Sequence, residues 1–128
     1  MRTLSLLISL LLSGTSLAVL AAGPASEPTR VDNVRPLLVS AIDSPSGEAH
    51  GVLIGPMAEA INRRFQTTAP IRIDVTTIKR FSEAGCSRLK VLFSQDGVLL
   101  PKTSAPERRT IEFGINYCRD GLPPRQAS

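Results

Sequence analysis

The sequence predicts an α+β fold built from an N-terminal β-hairpin, one amphipathic helix and an antiparallel β-meander stapled by one disulfide. Three observations predict it. Gly55-Pro56 precedes apolar residues at helical spacing; three later runs alternate apolar and polar residues; and the 128 residues contain only two cysteines, Cys86 and Cys118. Helical and strand periods in separate parts of a short chain argue for α+β architecture.

The chain opens with the order of a secretory signal. Met1 and Arg2 give a positive start, residues 4–12 (LSLLISLLL) an apolar middle, and Ser13-Gly14-Thr15-Ser16 a break before small residues. The signal is placed at residues 1–22, with cleavage between 18 and 25. The competing reading, an uncleaved anchor, would need residues 4–22 to span about 20 positions of hydrocarbon. Serine, threonine and glycine interrupt their second half, and no basic stop-transfer cluster follows. No later segment is long and apolar enough to cross a bilayer. Residues 23–33 (GPASEPTRVDN) read as a flexible leader, 34–120 as one α+β domain, and 121–128 as a disordered tail.

Within that domain, residues 37–42 form a β-like run, 43–47 (DSPSG) a turn, and 51–54 a returning strand. Pro56 then opens a helix, where a missing N–H costs nothing. Met57, Ala58, Ile61 and Phe65 share one face. Arg63 and Arg64 lie in the last turn, where positive charge suits the helix dipole, and Ala69-Pro70 marks the end. Ile71, Ile73 and Val75 alternate with polar neighbours, as do Leu89, Val91 and Phe93, and again Ile111, Phe113, Ile115 and Tyr117. Gln95-Asp96-Gly97 reads as a turn.

The cysteines give the register. In an oxidising compartment an even pair reads as a disulfide. If Cys86 faces Cys118 on antiparallel neighbours, Leu89 faces Ile115, Val91 faces Phe113 and Phe93 faces Ile111. Every apolar pair then meets on one face, and a one-residue slip would destroy the match. The cystine is expected on the face away from the core unless Gly85 displaces it.

Charge and composition exclude several functions. Fifteen basic and 11 acidic residues give +4, or +3 once Arg2 is assigned to the signal. The basic residues are dispersed and aromatics are few, against the concentrated stripe of a nucleic-acid surface. His50 is the sole histidine. With Cys86 it would make a thiol–imidazole pair only if the thiol were free; with Asp43 it lacks a nucleophile-elbow serine. No catalytic residue, cofactor site or metal cluster is assigned: no paired C-x-x-C or H-x-x-x-H spacing occurs, and Asp32, Asp43 and Glu48 lack calcium-loop spacing. The glycines of residues 51–55 (GVLIG) lead to no phosphate loop, since no G-K-[S/T] follows, and are assigned to the turn and the start of the helix. Arg63, Arg64, Arg72, Arg88 and Lys90 form a candidate partner surface for an acidic protein, although a solvated face is the commoner use of such residues.

Behind an export signal, the segments Cys86-Ser87-Arg88-Leu89 and Ile115-Asn116-Tyr117-Cys118 resemble the small exported accessory proteins encoded with conjugative type IV secretion systems, of the KikA-like kind. The resemblance covers roughly residues 51–120 and carries no catalytic motif. It implies a bacterial envelope protein that assists plasmid transfer through protein contacts. The sequence thus leads to the expectation of a periplasmic or secreted, non-enzymatic binding protein with an envelope protein as partner. The alternative is a secreted inhibitor or toxin acting on an envelope or foreign enzyme target.

Overall fold

The computed structural model describes residues 28–102, 105–126 and Gly14. The expected signal, and the leader up to residue 27, lie outside those residues apart from Gly14. The fold is α+β. Its order is β1 (Thr29–Val31), α1 (Arg35–Asp43), β2 (Glu48–Leu53), α2 (Pro56–Phe65), β3 (Ile71–Arg80), β4 (Cys86–Val98) and β5 (Glu107–Cys118). The strands form one five-stranded sheet in the order β1-β2-β3-β4-β5. β1 runs parallel to β2, and every other pairing is antiparallel.

The expected N-terminal hairpin is replaced by a β-α-β unit. Residues 37–42 are helical, and the last part of the expected leader supplies β1. A six-residue stretch with five apolar residues cannot by itself distinguish a buried strand from a buried helix turn. Here Pro36 occupies a first-turn position, and Leu37, Leu38, Ala41 and Ile42 fall on one buried helical face. A parallel neighbour for β2 also requires a crossover, and α1 is that crossover. Asn33 Oδ1 accepts from the Arg35 N–H at 3.0 Å, whereas Val34, the N-cap residue one place later, has no side chain to cap α1. Its end is held from the sheet: Arg80 donates from Nη1 to the Ile42 carbonyl at 3.0 Å and from Nη2 to the Ser44 carbonyl at 2.9 Å. A guanidinium at these orphan carbonyls satisfies them and opposes the negative end of the helix dipole.

The core lies between α1 and one face of the sheet. It joins Leu37, Leu38, Ala41 and Ile42 to Ile73, Val75, Leu89, Val91 and Tyr117. Gly51 permits the close approach of these layers. A Cβ there would lie 2.7 Å from the Thr29 carbonyl oxygen and 2.8 Å from Leu37 Cδ1. This glycine therefore serves packing in mid-strand, in place of the turn expected of it. Gly55, with φ of 88°, does make the turn into α2.

The β4–β5 register is the one the cysteines predict. Cys86 faces Cys118, Leu89 faces Ile115, Val91 faces Phe113 and Phe93 faces Ile111. Cys86 and Cys118 are disulfide-bonded with Cα atoms 4.1 Å apart. Both are buried yet lie outside the core cluster. Gln95-Asp96-Gly97 is not a hairpin turn: β4 continues to Val98 through a register shift, with Gly97 at φ of 68°. An extra residue absorbed as a bulge keeps the strand going while bending it. The segment after β5, expected to fray, folds back. The Leu122 carbonyl accepts from the Cys118 N–H at 3.1 Å, and Glu83 Oε2 accepts from the Arg125 and Gln126 N–H groups.

Candidate functional site

The helical layer covers only part of the sheet. α1 packs over its middle, and α2 sits at the end where β2 leaves and β3 begins. Gln95 ties α2 to β4 by donating from Nε2 to Asn62 Oδ1 at 2.8 Å and to the Ala69 carbonyl at 2.9 Å. The Phe65 carbonyl accepts from the Leu99 N–H at 3.0 Å. Beyond these ties the apolar face of β4 and β5 opens into a cleft of about 430 Å³. Its lining includes Ile61 and Phe65 of α2, Phe93 and Val98 of β4, Leu100 just beyond it, and Ile111 of β5. Next to it, Phe93 and Phe113 stack with ring centroids 6.1 Å apart.

The apolar residues at the sheet edge are uncovered. Ile111 is 68% exposed and Phe113 42% exposed. They stand on β5, the last strand of the sheet, and among the described residues no strand pairs with its outer side. A long edge strand with apolar side chains is a template for another strand, and proteins normally shorten, charge or cover such edges. Met57, expected on the apolar helix face, is also exposed, whereas Ala58 is buried.

The expected basic surface divides between two layers. Arg63 and Arg64 are exposed on α2, on the helical side. Arg72, Arg88 and Lys90 occupy alternate positions that point to the uncovered face of the sheet. There they mingle with acids: Thr76 separates Lys90 from Glu48 in one cross-strand row, and the neighbouring row runs His50, Asp74, Leu92, Glu112. Arg88 lies across Gly114 and donates to Asn116 Oδ1 at 3.1 Å. The five cations do not make one concentrated patch.

His50 lies in β2. Its Nδ1 is 2.6 Å from Asp74 Oδ1 and its Nε2 is 3.7 Å from Glu48 Oε2. The hydrogen bond to Asp74 is the main cause holding its pKa above the ordinary 6.5, against a smaller opposing effect of burial. Neither thiol–imidazole nor Asp43-based chemistry is assembled around it. Cys86 is consumed in the disulfide, and Asp43 pairs with Arg119 at 2.7 Å. The carboxylate partner in contact is Asp74, which pattern reading missed; its place opposite His50 across β2 and β3 was the available signal.

A raised imidazole pKa means that the folded state binds the proton more tightly than the unfolded chain. The stabilisation is complete below about pH 6.5 and is lost as pH rises through the folded-state value. Thermal melts between about pH 5.5 and 8.5 are therefore expected to show Tm falling more for the native chain than for Asp74→Asn. Equal slopes would remove this ion pair from the pH response.

Glu83, Cys86 and Cys118 bring one carboxylate oxygen and two sulfurs within 4.8 Å of one another. Both sulfurs are bonded to each other, and Glu83 is occupied by the returning backbone. This cluster reads as part of the staple, not as a metal centre. Among the described residues, no helix is long and apolar enough to cross a membrane. Comparison with known protein families, with curated proteins and with solved structures returns no match.

Proposed function

We propose that this chain is an exported, non-enzymatic binding protein of the bacterial envelope that takes an extended segment of a partner protein along β5. The observation that carries this reading is the exposure of Ile111 and Phe113 on an unpaired edge beside an apolar cleft. Strand addition uses both features: the edge supplies backbone hydrogen bonds, and the cleft accepts alternate side chains. The disulfide supports an oxidising compartment. The KikA-like resemblance directs the search for the partner to conjugal transfer or secretion.

The experiment is affinity capture from envelope extracts of bacteria producing the protein, with Ile111→Lys as the comparison. Ile111 is exposed, so the variant keeps the native Tm. It is expected to recover the partner at least about tenfold less, since a lysine in an apolar interface costs more than 1.4 kcal/mol. Where a transfer assay exists, plasmid transfer falls with it. Equal recovery by both forms overturns the reading and moves attention to the mixed-charge face around Arg72, Arg88 and Lys90.

A further inference from the structure

We infer that the strand that occupies the β5 edge, when no other partner is bound, is β5 of a second copy of this chain. The inference rests on the reading of β5 as a docking edge and names its occupant. The hydrogen-bonding parity of β5 is fixed by its inner partner. The Arg119 N–H donates to the Gly85 carbonyl, whereas the Cys118 N–H is turned outward to the Leu122 carbonyl. Continued along the regular β4–β5 ladder, this leaves the backbone groups of Thr110, Glu112 and Gly114 directed to the open side. The returning chain at Leu122 blocks that side at Cys118. The free stretch is therefore centred near Ile111, not on the whole strand.

Self-pairing through a two-fold axis admits only a few registers, and the sequence of β5 distinguishes them. An axis through Glu112 would set Glu112 against its own copy, and an axis through Arg109 would oppose two guanidiniums; like charges directly opposite destabilise a pair. An axis through Phe113 needs Arg108 to reach the blocked Cys118. An axis through Thr110 would leave Ile111 facing Arg109 and Phe113 facing Glu107.

An axis through Ile111 has none of these faults. Ile111 meets Ile111 of the second copy, and Phe113 meets Arg109 of the second copy, whose guanidinium can lie on the ring. Thr110 and Glu112 exchange backbone hydrogen bonds across the junction. Glu112 has Arg108 of the second copy on one diagonal and Glu112 of that copy on the other, and its carboxylate turns to the arginine, within reach of long side chains. The axis stands perpendicular to the sheet, so both helical layers stay on one side and the two clefts meet across the junction. The two exposed apolar side chains of the edge are thereby covered by their own strand.

The test is sedimentation velocity on the full oxidised chain at about 100 μM, ample for a micromolar complex. Native protein is expected at twice the monomer mass. Ile111→Lys, and Thr110→Pro, which removes an outward N–H, are expected to weaken association at least tenfold while keeping their Tm. Ile111→Cys is expected to form a disulfide-linked dimer under mild oxidation, because residues opposed without mutual hydrogen bonds bring their Cα atoms to about 4.5 Å. Phe113→Cys, whose opposite is Arg109, links several-fold more slowly.

A native monomer overturns the inference, as does a dimer that survives both edge variants or equal linking at 111 and 113. A monomer that still loses its envelope partner on Ile111→Lys refutes the second copy alone. A monomer with no such loss refutes the docking edge as well.

Discussion

Replacing Cys86 and Cys118 together by alanine is expected to lower the unfolding free energy by about 3–4 kcal/mol. The bond joins residues separated by 32 positions, and opening it returns that loop closure to the unfolded chain. The effect is large relative to the total stability of a domain of this size, which is of order 5–15 kcal/mol. It also falls where other support is thin. The outer half of β5 is exposed, and among its residues only Tyr117 belongs to the core cluster. Apart from β4, the cystine is the main tether of the strand that carries the candidate site. Urea unfolding of the oxidised chain, the reduced chain and the double alanine variant measures the effect. The reduced and alanine forms are expected to agree, with a midpoint well below that of the oxidised chain. A difference under about 1 kcal/mol would mean that the β4–β5 ladder holds without its staple.

Gly51→Val is expected to cost about 3 kcal/mol, near the upper end for overpacking a core. Its Cβ would already meet the Thr29 carbonyl at 2.7 Å, and that atom is backbone. Relief requires β1 to leave β2 or α1 to lift from the sheet. Gly114→Ala is the informative control. Its Cβ would approach Arg88 Nη2 at 2.5 Å, a closer contact on paper. Arg88 is an exposed, flexible side chain that can swing away, so a change of only a few tenths of a kcal/mol is expected there. Thermal unfolding of the two variants separates close approach to backbone from close approach to a mobile side chain. Equal destabilisation would contradict the packing role given to Gly51.

The β4–β5 pair was legible in the sequence because two independent constraints, the disulfide and the alternation of Leu89, Val91, Phe93 with Ile111, Phe113, Ile115, imply one register. α2 was legible from Gly55-Pro56 and from Arg63 and Arg64 in its last turn. α1 was not. Its N-cap residue is Val34 and its first turn holds no acid, so its signal reduced to Pro36 and a short apolar run that also fits a strand. β1 was hidden for a related reason: Thr29, Arg30 and Val31 gain strand character only from β2 beside them. The candidate site lay between these cases. Alternation identified the apolar face of β5, but what covers that face depends on where the helices sit. Ile111 and Phe113 therefore read as core residues and stand exposed. His50 and Asp74 meet only because the β2–β3 register sets them opposite each other.

The two margins of the sheet are unequal. At one, β1 has three residues and pairs only with residues 51–53 of β2, leaving Glu48 and His50 to charge the remainder. At the other stands the twelve-residue β5. A molecule with two adhesive margins adds copies without end, whereas one with a single adhesive margin is exhausted by its first match. The stubby β1 thus sets a stoichiometric limit: whatever joins β5, growth stops at that junction, and the same surface that invites association yields a finite particle instead of a fibre.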